Sequence, residues 1–275
     1  MSVRYPSRSL WFPILSILGV YVVASMLLGR LFQQFDAAGG QAAWGGFVTY
    51  VVSFGITIGY AVALRRGWGL EVPSFRPERW GADPRVIVVG LVLMLAVGVV
   101  LSPLLDRMPD TYVEMLDRYM SGGFWPMFTA VVAAPLFEEF LFRGIIQKNL
   151  VRRLGPVAGI AVGALIFGAI HLIPQQVIYA ACLGLILGTV YYLTGSLNGA
   201  IAVHFVNNGL TSLLYMVFGT ADGVERRILG DGALWCWTYG VSVALLIAGG
   251  WYGVRRIRRQ EAAGADPEAR NGVEN

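Results

Sequence analysis

The chain has 275 residues, of which 56% are apolar and only 14% are charged, and its mean hydropathy is +0.61. Soluble globular proteins contain about 45–50% apolar and about 25% charged residues, so this composition excludes an ordinary water-soluble enzyme. The net charge of +4 does not indicate a nucleic-acid-binding protein, because the basic residues flank apolar blocks instead of forming one patch.

Eight apolar blocks are long enough to cross a bilayer, which takes about 20 residues of helix. In chain order they are Trp11–Gly29, Trp44–Leu64, Val86–Leu105, Phe124–Ile146, Pro156–Ile173, Gln176–Leu193, Leu197–Phe218 and Ala233–Val254. The sequence therefore predicts an all-α polytopic membrane bundle of about eight helices, with an integral membrane domain at residues 1–254. The segment Asp106–Gly123 is predicted to hold a short interfacial helix, and residues 255–275 a basic, disordered cytoplasmic tail.

The distribution of basic residues predicts the orientation of the chain. If the chain crosses the bilayer at each predicted span, 15 of its 21 Lys and Arg residues lie on the side of the N-terminus and five on the other side, with Arg143 inside a span. The positive-inside rule then places both termini in the cytoplasm, which is on the inner side of the cell membrane if the protein is bacterial.

The fourth span carries the largest charged cluster, formed by Glu138, Glu139 and Arg143. Ionisable groups within a span are costly and are functional candidates. Glu139 and Arg143 are four residues apart and can neutralise each other, whereas Glu138 has no partner in its own helix. Glu138 is thus a candidate base, beside a helix turn that Pro135 should disturb. The alternative is a charge cluster that only joins helices.

The two histidines of the chain lie in the fifth and seventh spans. His171 follows Phe167 by four residues, and His204 precedes Asn208 by four, so each pair shares a helix face. Asn207 is slightly offset from the second face. The alternative interpretations are a core histidine with satisfied hydrogen bonds and amides that only link helices.

These polar residues together predict hydrolysis. A carboxylate and a histidine can take a proton from water, and a second imidazole and an amide can donate hydrogen bonds to an oxyanion. Two histidines and one glutamate would equally make a three-ligand zinc site with one open position. The His-Glu-x-x-His pair of helical zinc proteases is absent from the sequence.

One distance does not fit this arrangement. At 1.5 Å per residue, Glu138 and His204 lie about 12 Å from the cytoplasmic ends of their predicted spans, and His171 nearly twice as far. We expect the fifth helix to begin outside the hydrocarbon, because Arg152 and Arg153 precede it.

Three motifs in order, each on its own span, resemble the CAAX prenyl endoprotease and bacteriocin-processing family of intramembrane proteases, also called CPBP or Abi. The matching residues are Glu138-Glu139…Arg143, Phe167…His171 and His204…Asn208. The resemblance covers about Phe124 to Phe218, while the first three spans and the last add only hydrophobicity.

The resemblance implies an intramembrane endopeptidase with a cavity open to the cytoplasm, which acts on a membrane-associated protein or peptide in the lipid bilayer. Many bacterial members of the family have no prenylated substrate, so the CAAX label does not assign a substrate to this chain. The placement of the basic residues beside the spans predicts no nucleic-acid partner. The implied catalytic residues are Glu138 and His171 for water activation and His204 and Asn208 for the oxyanion; the implied structural support comes from Glu139, Arg143 and Phe167. The chemistry either needs no cofactor or uses a divalent metal such as zinc, held by Glu138, His171 and His204.

Two other functions use the same residues. A non-proteolytic relative could bind a partner, in bacteriocin immunity or as a scaffold, but it need not keep Glu138, His171 and His204 together. A proton-coupled transporter would use them as a relay, but such proteins commonly show inverted repeats and paired broken helices, and the sequence shows neither.

Overall fold

The structure is a computed structural model that describes residues 10–37, 43–73, 83–109, 111–219 and 224–265. All regular secondary structure in these ranges is helical, which confirms the predicted all-α class. The elements are α1 (Trp11–Ala37), α2 (Ala43–Trp68), α3 (Pro84–Leu105), α4 (Thr111–Met120), α5 (Phe124–Phe128), π1 (Thr129–Ala133), α6 (Ala134–Glu139), π2 (Phe140–Gln147), α7 (Lys148–Leu154), α8 (Pro156–Ala169), α9 (Pro174–Thr194), α10 (Leu197–Phe218), α11 (Val224–Leu229) and α12 (Ala233–Ala265).

The protein is a helical membrane bundle. Within the described ranges, six helices are long and apolar enough to cross a bilayer, namely α1, α2, α3, α9, α10 and α12. The predicted count of eight is not confirmed, because the fourth and fifth predicted spans have a different form. The fourth is a series of α and π segments, and the fifth is only 14 residues long.

We call the stretch from α5 to α7, residues 124–154, the motif helix. Its two π segments, π1 and π2, lie on either side of α6. At the end of π1, the N–H of Ala134 donates to the carbonyl of Thr129, five residues back. The next residue is Pro135, which has no N–H, so the predicted disturbance of this turn is present. The two glutamates thus lie on a short α segment between two widened turns.

The motif helix and α8 form a hairpin. Gly155 connects them with φ +82°, a left-handed conformation that glycine adopts without strain, and Pro156 begins α8. From there α8 packs back along α7 and π2. It ends at Ala169, four residues before the predicted end of the fifth span, and a turn with Leu172 at φ +63° leads to Pro174 and α9.

The last helix is longer than expected. α12 continues to Ala265, whereas the predicted span ended at Val254 and residues 255–275 were expected to be disordered. The Arg256 guanidinium contacts the Asp83 carboxylate at 3.7 Å, and the Gln260 amide donates to the Leu193 carbonyl at 3.3 Å. These contacts, together with good helix formers, explain why residues 255–265 remain helical. Residues 266–275 of the predicted tail lie outside the described ranges.

The bundle contains two packed apolar cores, and the motif helix contributes to the first. One joins α1 and α2 to α6, π2 and α8, and the other joins α3 to α9 and α10. α8 lies along α9, α1 lies along α2, and α10 packs against α6 and π1. The fourth predicted span is therefore the centre of the bundle, in contact with helices from both halves of the chain.

Two further predictions concern parts of the chain beside this bundle. α4 lies within the segment where a short interfacial helix was expected. Part of the arginine count that predicted the orientation lies outside the described ranges, at Arg4, Arg8, Arg76, Arg79 and Arg270. The cytoplasmic location of both termini stays a prediction.

Candidate active site

Glu138 lies near the middle of the motif helix, and its side chain is buried. As predicted, its contacts come from other helices. The Tyr50 hydroxyl of α2 donates a hydrogen bond of 2.7 Å to its Oε1 atom. Its Oε2 atom lies 3.9 Å from Nε2 of His204 on α10. A separation of 3.9 Å is too long for a direct hydrogen bond, and two polar atoms at this distance can share a water.

The predicted ion pair between Glu139 and Arg143 is present, and both side chains are fully buried. The Arg143 Nη1 atom donates to Glu139 Oε1 at 3.0 Å. The Nη2 atom donates to the Gly184 carbonyl of α9 at 3.4 Å. The guanidinium carbon lies 4.3 Å from the centre of the Phe167 ring. Arg143 thus links the motif helix to both α8 and α9.

His204 lies between the two glutamates and is buried. Its Nδ1 atom lies 2.8 Å from Glu139 Oε1, which is close enough for a charge-assisted hydrogen bond to a carboxylate. Since a carboxylate only accepts, Nδ1 carries a proton. Nε2 is then the ring nitrogen that faces Glu138.

His171 follows the end of α8 and lies in the turn before α9. The span was predicted to run to Ile173, so the placement of His171 inside a continuous helix is wrong. Its Nδ1 atom is 2.8 Å from the Phe167 carbonyl, which can only accept, so Nδ1 carries a proton. The Phe167 ring contacts both imidazoles, with its centre 5.2 Å from the His171 ring and 6.0 Å from the His204 ring.

The hairpin explains why His171 lies further along its predicted span than Glu138 and His204 lie along theirs. The motif helix continues to Leu154, eight residues past the predicted end of the fourth span at Ile146. Glu138 lies 17 residues before Gly155 and His171 lies 16 residues after it. The two arms are antiparallel, so Glu138 and His171 are separated from the turn by nearly equal numbers of residues.

Asn208 contacts the irregular backbone of the motif helix. Its Nδ2 atom donates to the Ala130 carbonyl at 2.7 Å. In the π register this carbonyl would accept from residue 135, which is a proline, and the N–H of Ala134 goes to Thr129 instead. The side chain of Asn208 therefore supplies a donor that the backbone lacks. An asparagine amide has two N–H donors, so the second N–H of Asn208 can donate to another acceptor.

Asn207 is also hydrogen-bonded, as the alternative interpretation of this residue expected. It accepts from the Tyr179 hydroxyl at 2.7 Å and donates to Asn208 Oδ1 at 2.9 Å. Tyr179 and Asn207 also form part of the wall of a cavity of about 380 Å³ between α3, α4, α9, α10 and α11. The lining of this cavity is largely apolar and includes neither Glu138 nor the histidines. The cavity is therefore distinct from the site around Glu138.

The predicted zinc ligands do not make a metal site in this geometry. Among the residues that the structure describes, no group of three His, Cys, Asp or Glu side chains is arranged to hold a metal ion. The Nδ1 atoms of both histidines contact the Phe167 carbonyl and the Glu139 carboxylate, as they commonly do in histidines that bind a metal through Nε2. Metal binding by Glu138, His171 and His204 therefore stays a prediction.

Sequence reasoning missed the contribution of α2. Tyr50 belongs to no motif, and the first three spans were expected to add only hydrophobicity. A tyrosine in the middle of an apolar span is nevertheless a signal, because a buried hydroxyl needs a hydrogen-bond partner. Gln147, one turn beyond Arg143, was also missed because it belongs to none of the three motifs. It is buried and donates to the Gly188 carbonyl of α9 at 2.9 Å.

Comparison with known proteins finds one family model that matches part of the chain. The model of the family described as type II CAAX prenyl endopeptidase Rce1-like matches residues 120–210, from the end of α4 into α10. This match supports the family resemblance that the three motifs indicated and the coarse function, a CAAX-protease-like intramembrane endopeptidase. No curated protein and no solved structure matches the chain.

Proposed function

We propose that this chain, which matches the CAAX-protease family through residues 120–210, hydrolyses a peptide bond of a membrane-associated protein, with water activated by Glu138 and His171 and the oxyanion bound by His204 and Asn208. The observation that carries the proposal is the 3.9 Å separation between Glu138 Oε2 and His204 Nε2 inside the bundle. A water in hydrogen-bond contact with Oε2 can lose its proton to that oxygen as it attacks the carbonyl carbon.

His171 would take part through its Nε2 atom. Because Nδ1 is protonated and bound to the Phe167 carbonyl, Nε2 is the nitrogen with a lone pair and can accept a hydrogen bond or a proton from water. The similar number of residues that separates Glu138 and His171 from the turn of the hairpin supports their action on one water. The proton that Glu138 takes from water can then pass to the nitrogen of the leaving amine, so the enzyme consumes no net proton.

The oxyanion of the tetrahedral intermediate would be stabilised by His204 and Asn208. With Nδ1 bonded to Glu139, a second proton on Nε2 would make His204 a cation whose charge Glu139 balances, and Nε2–H would donate to the oxyanion. Asn208 would donate its second N–H, while the first remains on the Ala130 carbonyl. A fixed donor at this position is worth more than a mobile one.

Arg143 and Phe167 would support this arrangement without contacting substrate. The Arg143 charge balances Glu139, and the guanidinium stacks on the Phe167 ring. Phe167 in turn holds His171 through its carbonyl. Their proposed role is therefore to keep the two histidines at a fixed separation from the glutamates.

Comparison of protein termini in membranes tests the proposal. Cells producing the wild-type chain should show new peptide termini in one or more membrane proteins, and cells producing Glu138→Gln at the same level should not. Identical termini in the two samples would favour the non-proteolytic, partner-binding function.

A further inference from the structure

The hydrogen bond between Tyr50 and Glu138 brings a residue from outside the matched segment into the site. Tyr50 is on α2, 88 residues before Glu138, and the 2.7 Å distance joins its hydroxyl to Oε1. Hydrogen bonds to ionised acceptors are shorter and roughly twice as strong as neutral ones. This bond occupies one carboxylate oxygen and leaves Oε2 facing His204.

The position of the Tyr50 hydroxyl is fixed by aromatic packing. The centre of the Tyr50 ring lies 4.8 Å from the centre of the Phe54 ring, which is fully buried. The Phe54 ring also contacts Tyr21 of α1 at 4.8 Å and Phe137, the neighbour of Glu138, at 6.0 Å. Helices α1, α2 and α6 therefore share one aromatic cluster, and this cluster sets where the hydroxyl points.

A glutamate needs a hydrogen bond to one carboxylate oxygen if the other oxygen is to keep a fixed direction. The terminal torsion of a glutamate side chain is broad and roughly two-fold, so an unrestrained carboxylate exchanges its oxygens and tilts freely. Glu139, which adjoins Glu138, is held by Arg143 and His204. For Glu138, Tyr50 provides the corresponding contact.

We propose that Tyr50 is a positioning residue of the active site, which holds Oε1 of Glu138 so that Oε2 is the oxygen that takes the proton from water. The inference rests on the proposed function and extends it, because it assigns a role in catalysis to the α1–α2 pair, which the family match leaves out. Tyr50 touches neither the water nor the peptide in this role. It acts through Glu138 alone.

The test is the substitution Tyr50→Phe, which keeps the ring and its packing on Phe54 and removes only the hydroxyl. The matched control is Tyr60→Phe, on the same helix about 15 Å further along at 1.5 Å per residue. The reporter is a peptide with the cleavage site that the comparison of membrane termini identifies. Tyr50→Phe should lower kcat about tenfold and leave KM unchanged, and its melting temperature should fall modestly because a buried carboxylate oxygen loses its donor. Tyr60→Phe should change none of the three.

A double substitution separates positioning from a general structural effect. If Tyr50 acts through Glu138, then Tyr50→Phe should cause no further loss in a Glu138→Gln background, since coupled residues are not additive. The same tenfold loss in both backgrounds, or a change in KM alone, would overturn the proposal.

A spectroscopic measurement tests the contact even if no cleavage is found. The infrared band of the Glu138 carboxyl group is identified as the one lost in Glu138→Gln. It should shift in Tyr50→Phe and remain in place in Tyr60→Phe. An unshifted band in Tyr50→Phe would refute the positioning role, whereas a shifted band in an inactive wild-type protein would count against the proposed function only.

Discussion

The Nδ1 atom of His204 lies 2.8 Å from the same Glu139 oxygen that accepts the hydrogen bond of Arg143. Glu139 therefore does more than neutralise Arg143 within its helix. It joins α10 to the motif helix and fixes which nitrogen of His204 faces Glu138. The two adjacent glutamates thus have different neighbours, although both lie beside one imidazole.

The first prediction separates the roles of the two glutamates. Glu138→Gln keeps the shape of the side chain and can still accept from Tyr50, but it cannot take a proton. We expect the purified variant to melt at the wild-type temperature and to lose on the order of 10²-fold or more in the rate of peptide cleavage. Cleavage near the wild-type rate would contradict the water-activation mechanism.

The second prediction concerns the buried ion pair. Arg143→Ala leaves the Glu139 charge uncompensated in a site with no solvent exposure, and it removes the contact with Phe167. Breaking one partner of a buried pair typically costs about 3–5 kcal/mol, so the melting temperature and the yield of folded protein should fall. Arg66→Ala, at an exposed position of α2, is the matched control and should leave both unchanged.

The third prediction uses the missing donor at Pro135. Asn208→Ala leaves the Ala130 carbonyl without its partner, which should cost about 1–3 kcal/mol. Adding Pro135→Ala supplies a backbone N–H and should recover part of that stability. Thermal unfolding of the single and double variants decides this, and a double variant less stable than Asn208→Ala would show that the proline is needed for another reason.

The fourth prediction concerns a metal. Since the three expected ligands are not grouped as a metal site, we expect protein freed of metal by chelation to keep its cleavage activity. Metal analysis of the same sample provides the control. Loss of activity that zinc restores would show that Glu138, His171 and His204 rearrange around an ion.

The fifth prediction is the orientation of the chain. After replacement of Cys182 and Cys236, a cysteine introduced at Lys148 should not react with a membrane-impermeant reagent added to intact cells. A cysteine at Asp231, between α11 and α12, should react. The reverse pattern would place the basic end of the motif helix outside the cell and invert the topology.

The pairing of Glu139 with Arg143 could be predicted because both residues belong to one helix, where spacing fixes proximity. The approach of His204 and Asn208 to the motif helix was expected because these polar residues share nearby apolar spans with Glu138, and the family resemblance implied the same grouping. The contact of Tyr50 with Glu138 could not be predicted, because it joins residues 88 positions apart through the packing of α1 and α2. Local periodicity carries no information about such pairs.

The segmentation of the motif helix was only partly predictable. Pro135 indicated a disturbed turn, but two π segments were not expected, since a widened turn depends on which carbonyls find other donors. At π1 that donor is Asn208. The end of α8 at Ala169 was missed because His171 continues the helical spacing of Phe167 while the chain has already turned.

The short length of α8 has a consequence for the surrounding lipid. Fourteen residues rise about 21 Å, whereas the hydrocarbon of a typical bilayer is about 30 Å thick. The turn that carries His171 and the exposed Leu172 thus ends short of the opposite surface. Such hydrophobic mismatch is relieved by local thinning of the bilayer or by shielding from neighbouring helices, at a cost that grows with each ångström of thickness. The length of the lipid acyl chains therefore becomes a variable that acts on the turn that carries His171.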